Sequence, residues 1–135
     1  MAEKIDFAKS FSYDAGQNGI NVPVEIKLSG RVAAFNAKID TGSTNCIFER
    51  RFGEELGIEI ESGLQQPIGT VRGSFLTYEH AVTMSVLGYD FDVLVCFAAD
   101  AEFQTNVLGR HGFLMRIKLG LIDYEGKVLI SSYDE

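Results

Sequence analysis

Residues 35–44 read FNAKIDTGST, and this stretch decides the fold. Phe35, Ala37 and Ile39 alternate with polar or small residues, which is typical of a β-strand with one buried face. The strand runs directly into Asp40, and a glycine two residues later interrupts the extended backbone. The sequence therefore predicts a carboxylate at the end of a strand, beside a hydroxyl group and a flexible loop.

A carboxylate in this position suggests hydrolytic chemistry only if it has a partner. Two facing carboxylates can share a proton and activate a water molecule, whereas one alone is a poor catalyst. A second Asp-x-Gly segment occurs at residues 14–16, but no apolar strand precedes it, so it is not a second copy. The chain is thus expected to complete its site by pairing with itself as a homodimer.

Length and charge exclude several classes of function. A chain of 135 residues predicts one domain, and 46% apolar residues with 14 glycines suit an ordered, turn-rich fold. The net charge of −7 argues against a nucleic-acid or anionic-membrane surface. No apolar run approaches the about 20 residues of a membrane span, and the first residues lack a signal-peptide core. We expect a soluble cytoplasmic protein.

The cysteines and histidines are too few and too scattered for a metal site or a disulfide framework. Cys46 and Cys96 lie far apart and have no ligand at zinc-site spacing, and His80 and His111 also stand alone. Buried free thiols in a reducing compartment are the expected state of the cysteines. No metal and no cofactor are predicted.

The rest of the chain is mostly strand-like. Alternation predicts strands over 22–28 and 32–39, a long hairpin with turns at 69–73 and 87–89, and a last hairpin over 117–131. Phe48, Phe52 and Leu56 recur every four residues before Gly57, which predicts one short helix over 48–57. A short strand over 58–60, an acidic loop over 98–105 and a helical turn over 113–115 complete an all-β domain with one or two short helices.

These parts, in this order, resemble the retropepsin-like aspartic proteases, in particular their bacterial relatives. The resemblance rests on Asp40-Thr41-Gly42-Ser43 and on the apolar-apolar-Gly-Arg segment 107–110 before a helical turn. It covers roughly residues 20–131 and implies a closed acid-protease barrel. Residues 1–18 would be an N-terminal extension and residues 19–135 the protease domain.

The resemblance also implies roles for individual residues. Asp40 would be the catalytic aspartate, Thr41 would hydrogen-bond across the dimer, Gly42 would bring its amide to the carboxylate, and Ser43 is the usual small residue that follows. In the second segment, apolar side chains such as Leu108 would support the aspartate loop. Gly109 would pass close beneath that loop, and Arg110 follows it.

A mobile flap over an extended peptide is the other implied feature. It would be formed by the hairpin tip Thr70, Val71, Arg72, Gly73 and Ser74. The sequence departs from the retroviral pattern at Thr44, where those members usually carry an acidic residue that pairs with the arginine matching Arg110. Arg110 is then expected to have another partner or none.

Two functions remain open from the sequence. One is a homodimeric aspartic endopeptidase that cleaves extended peptides at mildly to moderately acidic pH through paired Asp40 carboxylates. The other is a catalytically silent module with the same fold that binds a peptide segment or mediates dimerisation. Intact Asp40, Thr41 and Gly42 favour the enzyme.

Overall fold

The computed structural model describes residues 1–135 as an all-β protein, as predicted. Its only α-helix is α1 (Arg50–Glu55), and 3-10 turns span Ile60–Ser62, Leu114–Arg116 and Asp123–Glu125. No helix is both long enough and apolar enough to cross a membrane. The strands are β1 (Lys9–Ser12), β2 (Asn21–Leu28), β3 (Arg31–Ile39), β4 (Ile47–Phe48), β5 (Leu64–Thr70), β6 (Gly73–Val86), β7 (Tyr89–Ala98), β8 (Val107–Leu108), β9 (Ile117–Ile122) and β10 (Lys127–Ser132).

Seven strands form the main sheet, in the order β2-β3-β8-β4-β7-β6-β5. Because β2 also pairs antiparallel with β6, the pairings from β2 round to β6 form a ring, and β5 is left at an edge. The hairpins β2–β3, β5–β6 and β6–β7 are those that the alternation predicts. The ring contributes most residues of a core of 25 buried residues, in which Phe48, Phe97 and Phe113 are fully buried.

A smaller sheet of order β1-β10-β9 joins the two ends of the described chain. Strand β10 lies in the middle, so both of its edges are hydrogen-bonded. The Tyr13 hydroxyl donates to the Asp123 carboxylate, and the Ala8 amide donates to the buried hydroxyl of Ser131 at 2.7 Å. Residues 9–12 therefore pack as a strand, and the division of the chain at residue 18 stays a prediction.

Two local predictions are wrong. The helix begins at Arg50 and not at residue 48, because Phe48 belongs to β4 and pairs with Phe97 of β7. Residues 58–60 do not form a strand, since no neighbouring strand offers them a partner. Ile60 instead begins a 3-10 turn and is buried in the core.

Candidate active site

Asp40 is held at the point where two distant parts of the chain meet. Strand β3 runs parallel to β8, with Ile39 opposite Leu108. The Asp40 amide donates to the Leu108 carbonyl at 3.0 Å, which continues this pairing by one bond. The sequence position of Asp40 at the end of a strand thus becomes a fixed position in space.

The loop after Asp40 turns around the aspartate's own carboxylate. The Gly42 amide donates to Asp40 Oδ1 at 2.9 Å, and the Ser43 amide donates to the Asp40 carbonyl at 3.2 Å. Asp40 is half-buried and takes part in no ion pair. The carboxylate is therefore held by the Gly42 amide and not by a neighbouring cation.

The segment after β8 packs directly against this loop. The Arg110 amide donates to the Ser43 carbonyl at 2.9 Å, and the His111 amide donates to the Thr44 carbonyl at 2.8 Å. A Cβ atom on Gly109 would lie 2.2 Å from the carbonyl oxygen of Asn45 and 2.6 Å from that of Ser43. Only glycine fits at this position.

A polar pair, the buried Glu49 and the half-buried Asn106, fixes the strand beneath the loop. The Asn106 amide group donates to Glu49 Oε2 at 2.6 Å, and the Glu49 amide donates to Asn106 Oδ1 at 2.9 Å. The Asn106 carbonyl in turn accepts the Lys38 amide at 2.9 Å. Asn106 therefore ties β3 and the start of β8 to the residue that precedes α1.

Asp40 lines a cleft of about 470 Å³. Residues from three stretches of the chain, 40–47, 66–75 and 103–107, form it, and Asp40 is the only one with an ionisable side chain. The full set is Asp40, Gly42, Ser43, Thr44, Asn45, Ile47, Gln66, Pro67, Ile68, Gly69, Thr70, Phe75, Phe103, Thr105 and Val107. The cleft thus offers one carboxylate and a neutral lining.

One wall of the cleft is apolar and rests on its own small cluster of buried residues. Ile47 and Val107 pack with the buried Cys96, and Ile68, Phe75 and Phe103 pack against them. The rings of Phe75 and Phe103 stack with centroids 4.9 Å apart at 25°. This wall suits apolar side chains of a ligand.

The predicted flap residues occupy the tip of the β5–β6 hairpin. Thr70 pairs with Gly73, and the Thr70 hydroxyl donates to the Gly73 carbonyl at 2.9 Å. Gly73 has φ +127°, which disfavours any side chain. Of the five predicted flap residues, Thr70 alone lines the cleft, and Val71, Arg72, Gly73 and Ser74 are exposed.

The other predicted site residues divide between support and surface. Leu108 and Gly109 are buried under the aspartate loop, whereas Thr41 and Arg110 are exposed beside it. Arg110 forms no ion pair within the chain. Thr44 lines the cleft and supplies no acid for it.

Neither cysteine is placed to act as a nucleophile. Burial raises the pKa of the Cys46 thiol to about 11, and burial also raises the pKa of Cys96. Both thiols are free and buried, as predicted. No three histidine, cysteine or acidic residues are grouped so that they could hold a metal ion.

The residues that line the walls of the cleft were not predicted from the sequence. Gln66, Pro67, Ile68 and Phe75 lie on the hairpin below its tip, and Phe103 and Thr105 lie in the loop predicted only as acidic. The available signal for Phe103 was that it is the only large apolar residue in that loop. The hairpin residues carried no comparable signal, since alternation fits any strand.

The sequence matches no protein-family model, and no curated protein matches it. Among solved structures, the chain is similar to EIAV protease complexed with the inhibitor HBY-793, with a TM-score of 0.53 and 21% identity. The match covers 70% of this chain and 84% of the EIAV protease chain. The chain therefore has a retropepsin-like fold.

Proposed function

We propose that this protein is a homodimeric aspartic endopeptidase that cleaves extended peptides. The observation that carries the proposal is a single carboxylate, Asp40, which accepts the Gly42 backbone amide in a neutral cleft of a retropepsin-like fold. A hydrolytic dyad needs two carboxylates, and the cleft of one chain holds one. A second copy would supply the other.

The mechanism follows from the pairing of the two Asp40 residues. Two carboxylates about 3 Å apart do not both ionise, so the pair retains one proton, as is typical of aspartic proteases. The ionised member takes a proton from a water molecule, whose oxygen attacks the scissile carbonyl carbon. The protonated member gives its proton to the carbonyl oxygen. Collapse of the resulting tetrahedral diol breaks the C–N bond and transfers a proton to the leaving amine.

The aspartate-loop face is proposed as the dimer interface. Both edges of β10 are already paired within the chain, so this strand cannot extend a sheet into a partner. Thr41, Arg110 and His111 are exposed beside Asp40, and nothing in the chain covers them. Thr41 would hydrogen-bond across the dimer and hold the two loops together.

The substrate would lie between the aspartate loop and the hairpin. Strand β5 is an edge strand whose residues 66–70 line the cleft, so its free backbone groups can pair with an extended peptide. The hairpin tip at Thr70–Ser74 would act as the flap. The apolar wall around Phe75 and Phe103 favours substrates with apolar side chains next to the cleaved bond.

Two finer assignments belong to the same proposal. Thr44, in place of the acidic residue of retroviral members, favours a bacterial-type relative. The free buried thiols suit a reducing compartment such as the cytoplasm. Neither assignment enters the mechanism.

The test is hydrolysis of a mixed peptide library from pH 3 to 7 by the native chain, Asp40→Asn and Asp14→Asn. Asp14 is a matched control, because its carboxylate accepts the Gly16 amide at 2.9 Å in the same kind of turn but lies outside the cleft. We expect acid-favoured cleavage that Asp40→Asn abolishes and Asp14→Asn leaves intact. If the native protein is folded and dimeric but cleaves no peptide, the result would instead favour a peptide-binding module.

A further inference from the structure

A second pocket of about 400 Å³ adjoins the cleft on the far side of the Phe75–Phe103 stack. We call it the side pocket. Phe75 and Phe103 line both spaces, so the stacked rings form the partition between them. A peptide lying in the cleft can therefore place one side chain against the apolar wall and another beyond the rings.

The interior of the side pocket is apolar. Leu76, Ala98 and Ala99 line it together with the two aromatic rings. Ala98 is fully buried at the end of β7, and the Ala99 amide donates to the Leu76 carbonyl at 3.0 Å. Five of the seven lining residues are therefore apolar, and two of these have the small side chain of alanine.

Two exposed carboxylates also line this apolar pocket. Asp100 and Glu102 line the pocket, are exposed, and have no lysine or arginine within 4.0 Å. The Glu102 amide donates to Asp100 Oδ1 at 2.9 Å, which fixes the turn that presents both groups. From behind, Arg50 Nη1 donates to the Ala99 carbonyl at 3.2 Å and anchors the loop.

An apolar pocket that two exposed carboxylates also line matches lysine and arginine, whose long aliphatic stems pack on apolar surface while the charged end remains in water. We propose that the side pocket is a specificity subsite for a lysine or arginine of the substrate. The inference rests on the proposed function only in requiring that an extended peptide occupies the cleft. Since Asp40 is the cleft's only charged side chain, Asp100 and Glu102 would supply the charge selection that its neutral lining lacks.

The test uses fluorescent decapeptides in which each position in turn is lysine, norleucine or glutamate. Cleavage by the native protein gives kcat/KM, and anisotropy with Asp40→Asn gives binding without turnover. The variants are Glu102→Gln and Asp100→Asn, which keeps the oxygen that accepts the Glu102 amide. Glu55→Gln, an exposed unpaired acid on α1, controls for net charge.

At one position of the peptide, we expect lysine to give a higher kcat/KM and tighter binding than norleucine. The lysine-to-norleucine ratio should fall about fivefold in the double variant with Asp100→Asn and Glu102→Gln, as expected for exposed charge pairs. The ratio should be unchanged in Glu55→Gln. Glu102→Lys should shift the preference toward glutamate. No lysine preference in either assay, or an equal loss in Glu55→Gln, would overturn the subsite. Cleavage lost in Asp40→Asn but without lysine preference overturns the subsite alone. Lysine-dependent binding without cleavage by the native protein supports the subsite and overturns only the enzyme.

Discussion

Gly109 shows how strictly one residue can be required. Its missing side chain leaves space for the carbonyl oxygens of Ser43 and Asn45, which are backbone atoms and cannot move aside alone. We predict that Gly109→Ala lowers the free energy of unfolding by about 3 kcal/mol, the upper range for overpacking. Urea denaturation would measure the change.

Gly69→Ala provides the matched control for that substitution. Gly69 also borders the cleft, but a Cβ atom there meets nothing within 4 Å. Its unfolding free energy should therefore change by no more than about 0.5 kcal/mol, as for ordinary surface positions. Equal stability of both variants would show that the aspartate loop can move away from Gly109.

The two Asp-x-Gly turns show what a residue pattern alone can predict. Gly16 donates to Asp14 and Gly42 donates to Asp40 at the same distance of 2.9 Å, so the local turn is common to both. What distinguishes them is visible in sequence only through the apolar strand before Asp40. The bond from the Asp40 amide to Leu108 joins residues 68 positions apart (108 − 40), and no local pattern reveals it.

The cysteines should be unreactive in the native protein. A thiol with a raised pKa carries little thiolate at pH 8, and both side chains are also inaccessible. We predict that Ellman's reagent modifies neither Cys46 nor Cys96 while the protein is folded and modifies both in urea. Rapid native modification of Cys96 would show that the apolar wall of the cleft opens.

At the scale of elements, the β5–β6 hairpin tip is the clearest candidate for a moving part. Val71 is fully exposed there, although it is apolar, so it gains contacts only when a peptide or a partner covers it. We predict that Val71→Ser lowers kcat/KM for a library substrate about fivefold, which corresponds to about 1 kcal/mol of partial apolar burial. Leu64→Ser, at the exposed other end of β5, should leave kcat/KM unchanged. Equal losses would indicate a general effect on the hairpin.

An ion pair between α1 and the following 3-10 turn should make stability depend on pH. Arg50 Nη2 donates to Glu61 Oε1 at 2.6 Å, and these hydrogen bonds lower the pKa of Glu61. Because this pKa is lowered on folding, the ion pair stabilises the protein fully above the ordinary carboxylate pKa of about 4.3. The stabilisation is lost as the pH falls through the pKa that Glu61 has in the folded protein. Glu61→Gln should therefore lower Tm near pH 6 and have little effect near pH 3.

Thermal melts of the native protein and Glu61→Gln across that pH range measure the effect, with Glu55→Gln as the unpaired control. A Tm difference that stays constant down to pH 3 would contradict the assigned ion pair. Catalysis is expected at acidic pH, so the same melts also show whether the Arg50–Glu61 pair still stabilises the protein at the pH of the activity assay.

The elements were predictable where the evidence for them is local. Alternation identified the long hairpins, since each strand has one face on the core. The recurrence every four residues was misleading at Phe48, because that residue pairs with a partner on β7 that only the fold provides. Alternation was misleading at one place, residues 58–60, where two isoleucines alternate with glutamate but one of them, Ile60, enters the core from a 3-10 turn.

At the scale of the whole molecule, the aspartate was predictable and the cleft was not. Asp40 can be identified from the alternating strand that precedes it. The walls of the cleft, however, come from segments that meet only after the sheet has formed. In the proposed enzyme the second carboxylate would come from another copy of the chain, so the central claim is that two chains share one site.

Mixing chains tests that claim most directly. Native protein is held at a fixed concentration above its dimer constant while Asp40→Asn is added and allowed to exchange. In a shared site, an equal amount of the variant should about halve the activity per native chain, and a ninefold excess should reduce it to about a tenth. When Asp14→Asn is added in place of Asp40→Asn, the total activity should instead rise, because that variant is expected to be active itself. Activity per native chain that is unaffected by Asp40→Asn would contradict a site shared between two chains.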